Sequence, residues 1–315
     1  MDEQLEPQTQ QPTPVPQSFV ERNNVSTIAF AFLCLLAVFV TYQVVGGVIT
    51  LLVVGGRVTP ENVMMHRIFT MAGQVLFILI PTIIFARLLD VRFSNVFPWR
   101  MPSAGESIFA VLSLLFLQEV LEIYLFFQDR IPFPEEIKKV IEPMQKMIEE
   151  MFRILVSAKN VPELLFVVLV VGVTPAIVEE LLFRGLIQSS FERRMKPFKA
   201  AVWTGVIFGA FHFNPFALVP LVVLGAFFGI LRMRSQSMIL PMTVHFLNNA
   251  LAVVVSFFQM DDKMLIGATK GEDINTQAIL IQLFLFSMLF IVTFSSYLRL
   301  TNERHTNPPD DREHG

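Results

Sequence analysis

Cysteine is almost missing from this chain: Cys34 is the one cysteine in 315 residues, and it lies inside an apolar run. No disulfide framework and no cysteine zinc site can be assembled within the chain. Charge is scarce as well. Asp, Glu, Lys and Arg make up 16% of the residues against 53% hydrophobic ones, less charge than a soluble domain of this length carries. The net charge of -3 is mild, so there is neither the basic footprint of a nucleic-acid binder nor a strongly acidic surface. Residues Met1 to Arg22 have no basic stretch leading into a short apolar one, so no cleaved signal peptide is expected. Internal repeats and inverted halves are also lacking.

What is present is apolar sequence gathered into runs of the length a hydrocarbon core about 30 Å thick demands of a helix. The runs are Ser26 to Val54, Ile68 to Leu89, Ser107 to Phe127, Pro162 to Phe191, Phe198 to His212, Phe216 to Leu231, Met238 to Phe258 and Gln277 to Leu298. They predict an all-α, multi-pass transmembrane helix bundle of about eight spans. The fifth and sixth are short and separated by Asn214 and Pro215, which predicts tilted or broken helices. Between spans three and four, Asp129 to Val161 interleaves Lys and Glu with Ile137, Ile141, Met144, Ile148, Met151 and Leu155 at helical spacing, the pattern of an amphipathic interfacial helix.

The resulting organisation is a disordered polar tail (1–25), N-terminal membrane helices with the interfacial helix (26–161), a membrane core (162–258), a loop with the last membrane helix (259–300), and a polar tail (301–315). Arg87, Arg92, Arg100, Arg193, Arg194, Lys196, Lys199, Arg232 and Arg234 fall on one face of an eight-span arrangement. By the positive-inside rule that face, with both termini, is expected to be cytoplasmic in a cell membrane.

Ionisable groups within the apolar runs are the candidates for chemistry. Glu179, Glu180 and Arg184 lie well inside the fourth run, where an arginine costs roughly 2.5–3.5 kcal/mol to insert and must face partners or a water-filled cavity. Glu180 and Arg184 are four apart with the acid first, the favourable order for a pair on one helix face. Glu179 points about 100° away and is left free to act as a general base. A purely structural polar clamp would use the same three residues. Of the five histidines, His66, His305 and His314 fall in loops or tail, whereas His212 and His245 belong to the apolar region. His245 and Asn249 share a helix face. Either histidine alone is commonly an interhelical hydrogen-bonding group. Two of them with two glutamates and an Asn can activate water and stabilise an oxyanion. Glu119 and Glu122 in the third run read as an interfacial helix end, and Phe211, Phe213, Phe216, Phe227 and Phe228 cluster in sequence around the candidate residues.

Taken in order, Glu179-Glu180-x-x-x-Arg184, Phe208-x-x-x-His212 and His245-x-x-x-Asn249 resemble the three motifs of the CAAX prenyl protease and bacteriocin-processing (CPBP) family of intramembrane endopeptidases, over about Pro162 to Phe258. The resemblance implies a helical core around a cavity in which Glu179 and His212 activate water, His245 and Asn249 stabilise the oxyanion, and Glu180 orients the site through Arg184. It implies a membrane-associated or lipidated peptide or protein as substrate, with the bilayer as the other partner and no nucleic acid. The family is often described as metalloproteases, yet the chain has no His-Glu-x-x-His helix. If a divalent metal such as zinc takes part, His212, His245 and Glu179 are the ligands to expect. A non-enzymatic immunity or scaffold protein of the same fold, and a proton- or ion-coupled transporter, are the alternative functions.

Overall fold

The structure is a computed structural model that describes residues 16–259 and 275–306, excepting the side chains of 303–306. It is a bundle of α-helices: α1 (Phe19–Arg22), α2 (Thr27–Val53), α3 (Val63–Leu89), α4 (Phe93–Val96), α5 (Ala104–Gln128), α6 (Glu135–Val156), α7 (Val161–Glu192), α8 (Pro197–Phe211), α9 (Leu218–Ser235), α10 (Ile239–Phe257) and α11 (Thr276–Thr306). Among the described residues, α2, α3, α5, α7, α9, α10 and α11 are long and apolar enough to cross a membrane. The eighth apolar helix, α8, has 15 residues, or about 22 Å at 1.5 Å per residue, which is less than the hydrocarbon thickness. Large apolar side chains such as Leu33, Leu52, Ile84 and Phe284 are exposed on the outer faces, where a lipid solvent would cover them.

Polar caps and breakers set the helix ends. Ser18 and Glu21 form a reciprocal capping box on α1, and Ser103 and Glu106 form another on α5. Gly55, with φ +100°, ends α2 in a conformation that favours glycine. Part of the segment expected to be a disordered tail is therefore structured, since Ser18 and Val20 are buried. Residues 1–15, 260–274 and 307–315, which carry the rest of the expected tails and loop and His314, lie outside the described residues. His305 falls within α11, its side chain likewise outside them.

The predicted amphipathic helix is α6, shorter at both ends than the sequence suggested. Its apolar positions Ile137, Met144 and Met151 remain exposed, as expected of a helix lying at the membrane interface. Its end is tied down by a residue just ahead of the second apolar run. Arg67 is fully buried within α3. Its Nε donates to the Leu155 carbonyl (2.9 Å) and its Nη1 pairs with Glu163 (2.8 Å). Its Nη2 donates to the carbonyls of Ile154 (3.2 Å) and Ser157. A cation thus meets the unpaired carbonyls at the α6 C-terminus. His66, expected in a loop, is buried in the same helix.

On the opposite face the arginine-bearing loops knit together. Arg193 pairs with Asp90 and lies 4.0 Å from Glu21. Arg100 Nε donates to the Ser235 carbonyl (2.6 Å) and its Nη2 pairs with Glu106 (2.7 Å). Arg234 Nη2 donates to the Leu298 carbonyl (2.6 Å). These contacts place the described start of the chain and the end of α11 on the same face as the basic loops. Burial pushes the Asp90 carboxyl up, but the Arg92 amide, the Arg193 guanidinium and the Asn95 amide outweigh it and hold it below the ordinary carboxylate range.

Helices α8 and α9 pack through small residues. Gly205 of α8 meets Gly225 of α9, Gly209 meets Val222 and Gly229 meets Ala201, so a Gly-x-x-x-Gly pair on each helix lets the backbones touch. A Cβ on Gly205 would lie 2.3 Å from the Ala226 backbone nitrogen, and one on Gly209 would lie 2.9 Å from that of Val222. Two outcomes are expected in thermal melts of the detergent-solubilised protein. Gly205→Ala forces the helices apart and lowers the midpoint by several degrees, whereas Gly47→Ala, where a Cβ meets nothing within 4 Å, leaves it unchanged. Asp90→Asn lowers the midpoint at neutral pH. A carboxyl held low contributes stability above its ordinary pKa of about 3.9, and that stability is lost as pH falls through the folded value, so the variant melts with a flatter dependence on acidification.

Candidate active site

The three sequence motifs converge between α7, α8 and α10. The α7 helix widens into π-helical turns at Val168–Val173 and again at Leu181–Ile187, irregularities that recur at functional sites. Glu179 and Glu180 sit at the junction ahead of the second. Glu180 and Arg184 are both fully buried and paired, Oε1 to Nη1 at 3.0 Å, as the i,i+4 spacing predicts. The same Glu180 oxygen lies 2.9 Å from His245 Nδ1, a contact the sequence did not reveal. Arg184 Nη2 donates to the Gly225 carbonyl of α9 at 3.0 Å. Its guanidinium carbon lies 4.5 Å from the Phe208 ring centroid and 5.3 Å from that of Phe228, within cation–π range. Glu180 Oε2 and Arg184 Nε and Nη1 are buried without a hydrogen-bond partner among the described residues, Nη1 meeting Glu180 as an ion pair without hydrogen-bond geometry, so desolvation of the pair is not fully compensated.

Glu179 points elsewhere. Its Oε2 lies 3.9 Å from His212 Nε2, and the two side chains are 16% and 31% exposed, so this part of the site is open while Glu180 and Arg184 are sealed. The other His212 nitrogen, Nδ1, is 2.7 Å from the Phe208 carbonyl. A carbonyl only accepts, so Nδ1 carries the proton, and in the neutral ring Nε2 presents a lone pair toward Glu179.

His212 caps the end of α8. Laying the spans side by side from the sequence puts it at the far membrane surface, out of reach of Glu179. The short α8 removes that discrepancy: Glu179 and His212 lie at nearly the same chain distance from the turn joining α7 to α8.

His245 is buried and stacked on Phe228, centroids 5.0 Å apart at 21°. Phe208 lies against both imidazoles, with its ring 4.6 Å from His212 and 6.0 Å from His245 between centroids. Because the ionised Glu180 carboxylate only accepts, His245 Nδ1 carries a proton. Asn249 Nδ2 lies 3.0 Å from the Val171 carbonyl, and its Oδ1 3.0 Å from Asn248 Nδ2. Asn248 Oδ1 in turn accepts from Gln118 Nε2 of α5 at 3.1 Å.

Sequence reasoning singled out neither Asn248 nor Gln118. The available signal was a carboxamide inside an apolar run, which needs a polar partner. Of the five phenylalanines expected near the site, only Phe228 contacts a site imidazole. Phe211 and Phe213 pack on Phe39, and Phe227 on Phe290 and Phe294. Glu119 is half-buried in α5 and Glu122 exposed.

Among the described residues no group of three His, Cys, Asp or Glu side chains is placed to hold a metal ion. His245 turns Nδ1 to Glu180 and only His212 faces Glu179, so the expected trio of His212, His245 and Glu179 does not form one ligand set.

No curated protein and no solved structure matches the chain. One protein-family model does match, over residues 161–251, and its description is type II CAAX prenyl endopeptidase Rce1-like. That stretch begins at the first residue of α7 and contains all seven motif residues from Glu179 to Asn249, so the helical core that builds this site is similar to an Rce1-like domain, consistent with the CPBP family.

Proposed function

We propose that the protein is an intramembrane endopeptidase that hydrolyses peptide bonds of membrane-associated or lipidated substrates. The observation that carries this reading is the pair of acceptors, Glu179 Oε2 and His212 Nε2, 3.9 Å apart in the open part of the site. One water can donate a hydrogen to each at ordinary hydrogen-bond lengths, leaving its lone pairs free to attack. The water oxygen adds to the carbonyl carbon of the scissile peptide, and its proton passes to Glu179 as general base. The same proton is then delivered to the departing amine as the carbon–nitrogen bond breaks. Asn249, whose Nδ2 has a second hydrogen beyond the one given to Val171, stabilises the oxyanion. His245 joins it from Nε2 when the ring is an imidazolium, since Nδ1 already donates to Glu180. Glu180 and Arg184 position that ring without touching substrate.

The working location is the cell membrane, with the arginine-knit face toward the cytoplasm. This is supported by the basic loops meeting on one face and by the positive-inside rule.

A purified, lipid-reconstituted protein given a quenched fluorescent peptide ending in a prenylated CAAX sequence should release signal. Glu179→Gln and His212→Ala should each lower kcat/KM by about 10²–10⁴. Undiminished cleavage in either variant overturns the reading, and a cellular function that survives Glu179→Gln supports a binding or scaffold role instead. For orientation, cysteines are introduced at Met147 of α6 and Asn302 of α11 in a Cys34→Ala background. A membrane-impermeant maleimide added to intact cells should label the first and spare the second, and the reverse pattern places the basic face outside.

A further inference from the structure

We infer that Gln118 and Asn248 are positioning residues that fix which way the Asn249 carboxamide faces, and that the catalytic apparatus therefore extends beyond the matched domain into α5. The inference rests on the proposed hydrolytic role of Asn249.

The chain of contacts begins with a backbone defect. Pro175 lies inside α7 and has no N–H to offer the carbonyl four residues before it, that of Val171. The part-buried Val171 carbonyl accepts from Asn249 Nδ2 at 3.0 Å. A carbonyl only accepts, so the Asn249 atom facing it must be nitrogen, and Oδ1 must point the other way.

Polarity then propagates without a free choice. Oδ1 of Asn249 needs a donor, so Asn248 presents Nδ2 to it at 3.0 Å. That leaves Asn248 Oδ1 as an acceptor, which Gln118 Nε2 fills at 3.1 Å. Three carboxamides in series thus run donor to acceptor from α5 through α10 to α7, and Asn249 keeps its second N–H available. A carboxamide rotated by half a turn would set Oδ1 against the Val171 carbonyl and turn a lone pair toward any developing oxyanion.

Gln118→Glu and Gln118→Leu separate orientation from mere packing. Glutamate has nearly the same shape but in its ionised form cannot donate, so it calls for the opposite polarity along the whole series. Leucine only removes the last link. With the prenylated peptide, Gln118→Glu should lower kcat at least about tenfold, a fraction of the 10²–10³ typical for losing an oxyanion donor outright, with KM within about twofold. Gln118→Leu should lower kcat less, and Asn248→Asp should match the glutamate variant. Equal kcat in native protein and both Gln118 variants overturns the inference and leaves the proposed function intact.

If the native protein does not cut the peptide, the proposed function fails for that substrate, and the relay is still decided by nuclear magnetic resonance. In protein labelled with ¹⁵N-asparagine, the Asn249 side-chain amide, identified by its disappearance in Asn249→Asp, should shift strongly in Gln118→Glu and only slightly in Gln118→Leu. Identical spectra in the two variants refute the relay.

Discussion

The site is organised around one carboxylate. Glu180, removed from solvent, holds a guanidinium from its own helix and an imidazole from another on the same oxygen. Burying such groups is expensive, and an isolated partner would be left as an uncompensated charge at a cost of about 3–5 kcal/mol. The three groups therefore stand or fall together. Through Arg184 the cluster reaches the Gly225 carbonyl, which is available because glycines let α8 and α9 touch. Through His245 it fixes the register of α10. Aromatic rings complete the enclosure: Phe228 covers one face of His245, and Phe208 lies between the two imidazoles. This arrangement divides labour between neighbours in sequence, since Glu180 is sealed and structural while Glu179 faces the open side.

Much of this could be read from the sequence, because a membrane imposes simple rules. Apolar runs of fixed length define spans, and an ion in such a run must meet another. The Glu180–Arg184 pair follows from helical spacing, and so does the placement of His245 and Asn249 on one face. What escaped was tertiary. Hydropathy opened the second span at Ile68, which left His66 in a loop and Arg67 outside the span. It could not register that the carbonyls of residues 154, 155 and 157 and the Glu163 carboxylate would make an arginine tolerable inside a helix. The contact of Glu180 with His245 joins residues 65 apart in sequence, and no periodicity reports it.

The depth of His212 was the clearest discrepancy. Counting spans gives the order in which the chain crosses the membrane but not how far each helix has travelled, and a helix of 15 residues stops short. The match with the type II CAAX prenyl endopeptidase Rce1-like family model covers the helices that bear the motifs. It omits α2, α3 and α5, yet two of these hold Arg67 and Gln118, which tie the interfacial helix and the Asn248–Asn249 pair to the core. Helices outside the matched stretch are thus joined to those that bear the motifs, through Arg67 to Glu163 and through Gln118 to Asn248.

The brevity of α8 has a bearing on the lipid around it. Phe198 and Trp203 are exposed on this helix, so part of its side meets acyl chains over only about 22 Å. A bilayer bordering that strip must thin locally or admit headgroups and water to make up the mismatch. Either response shortens the hydrocarbon path that a polar peptide backbone has to traverse. Under the proposed function, the thickness of the host membrane becomes a variable of the reaction, with thinner bilayers offering the easier approach.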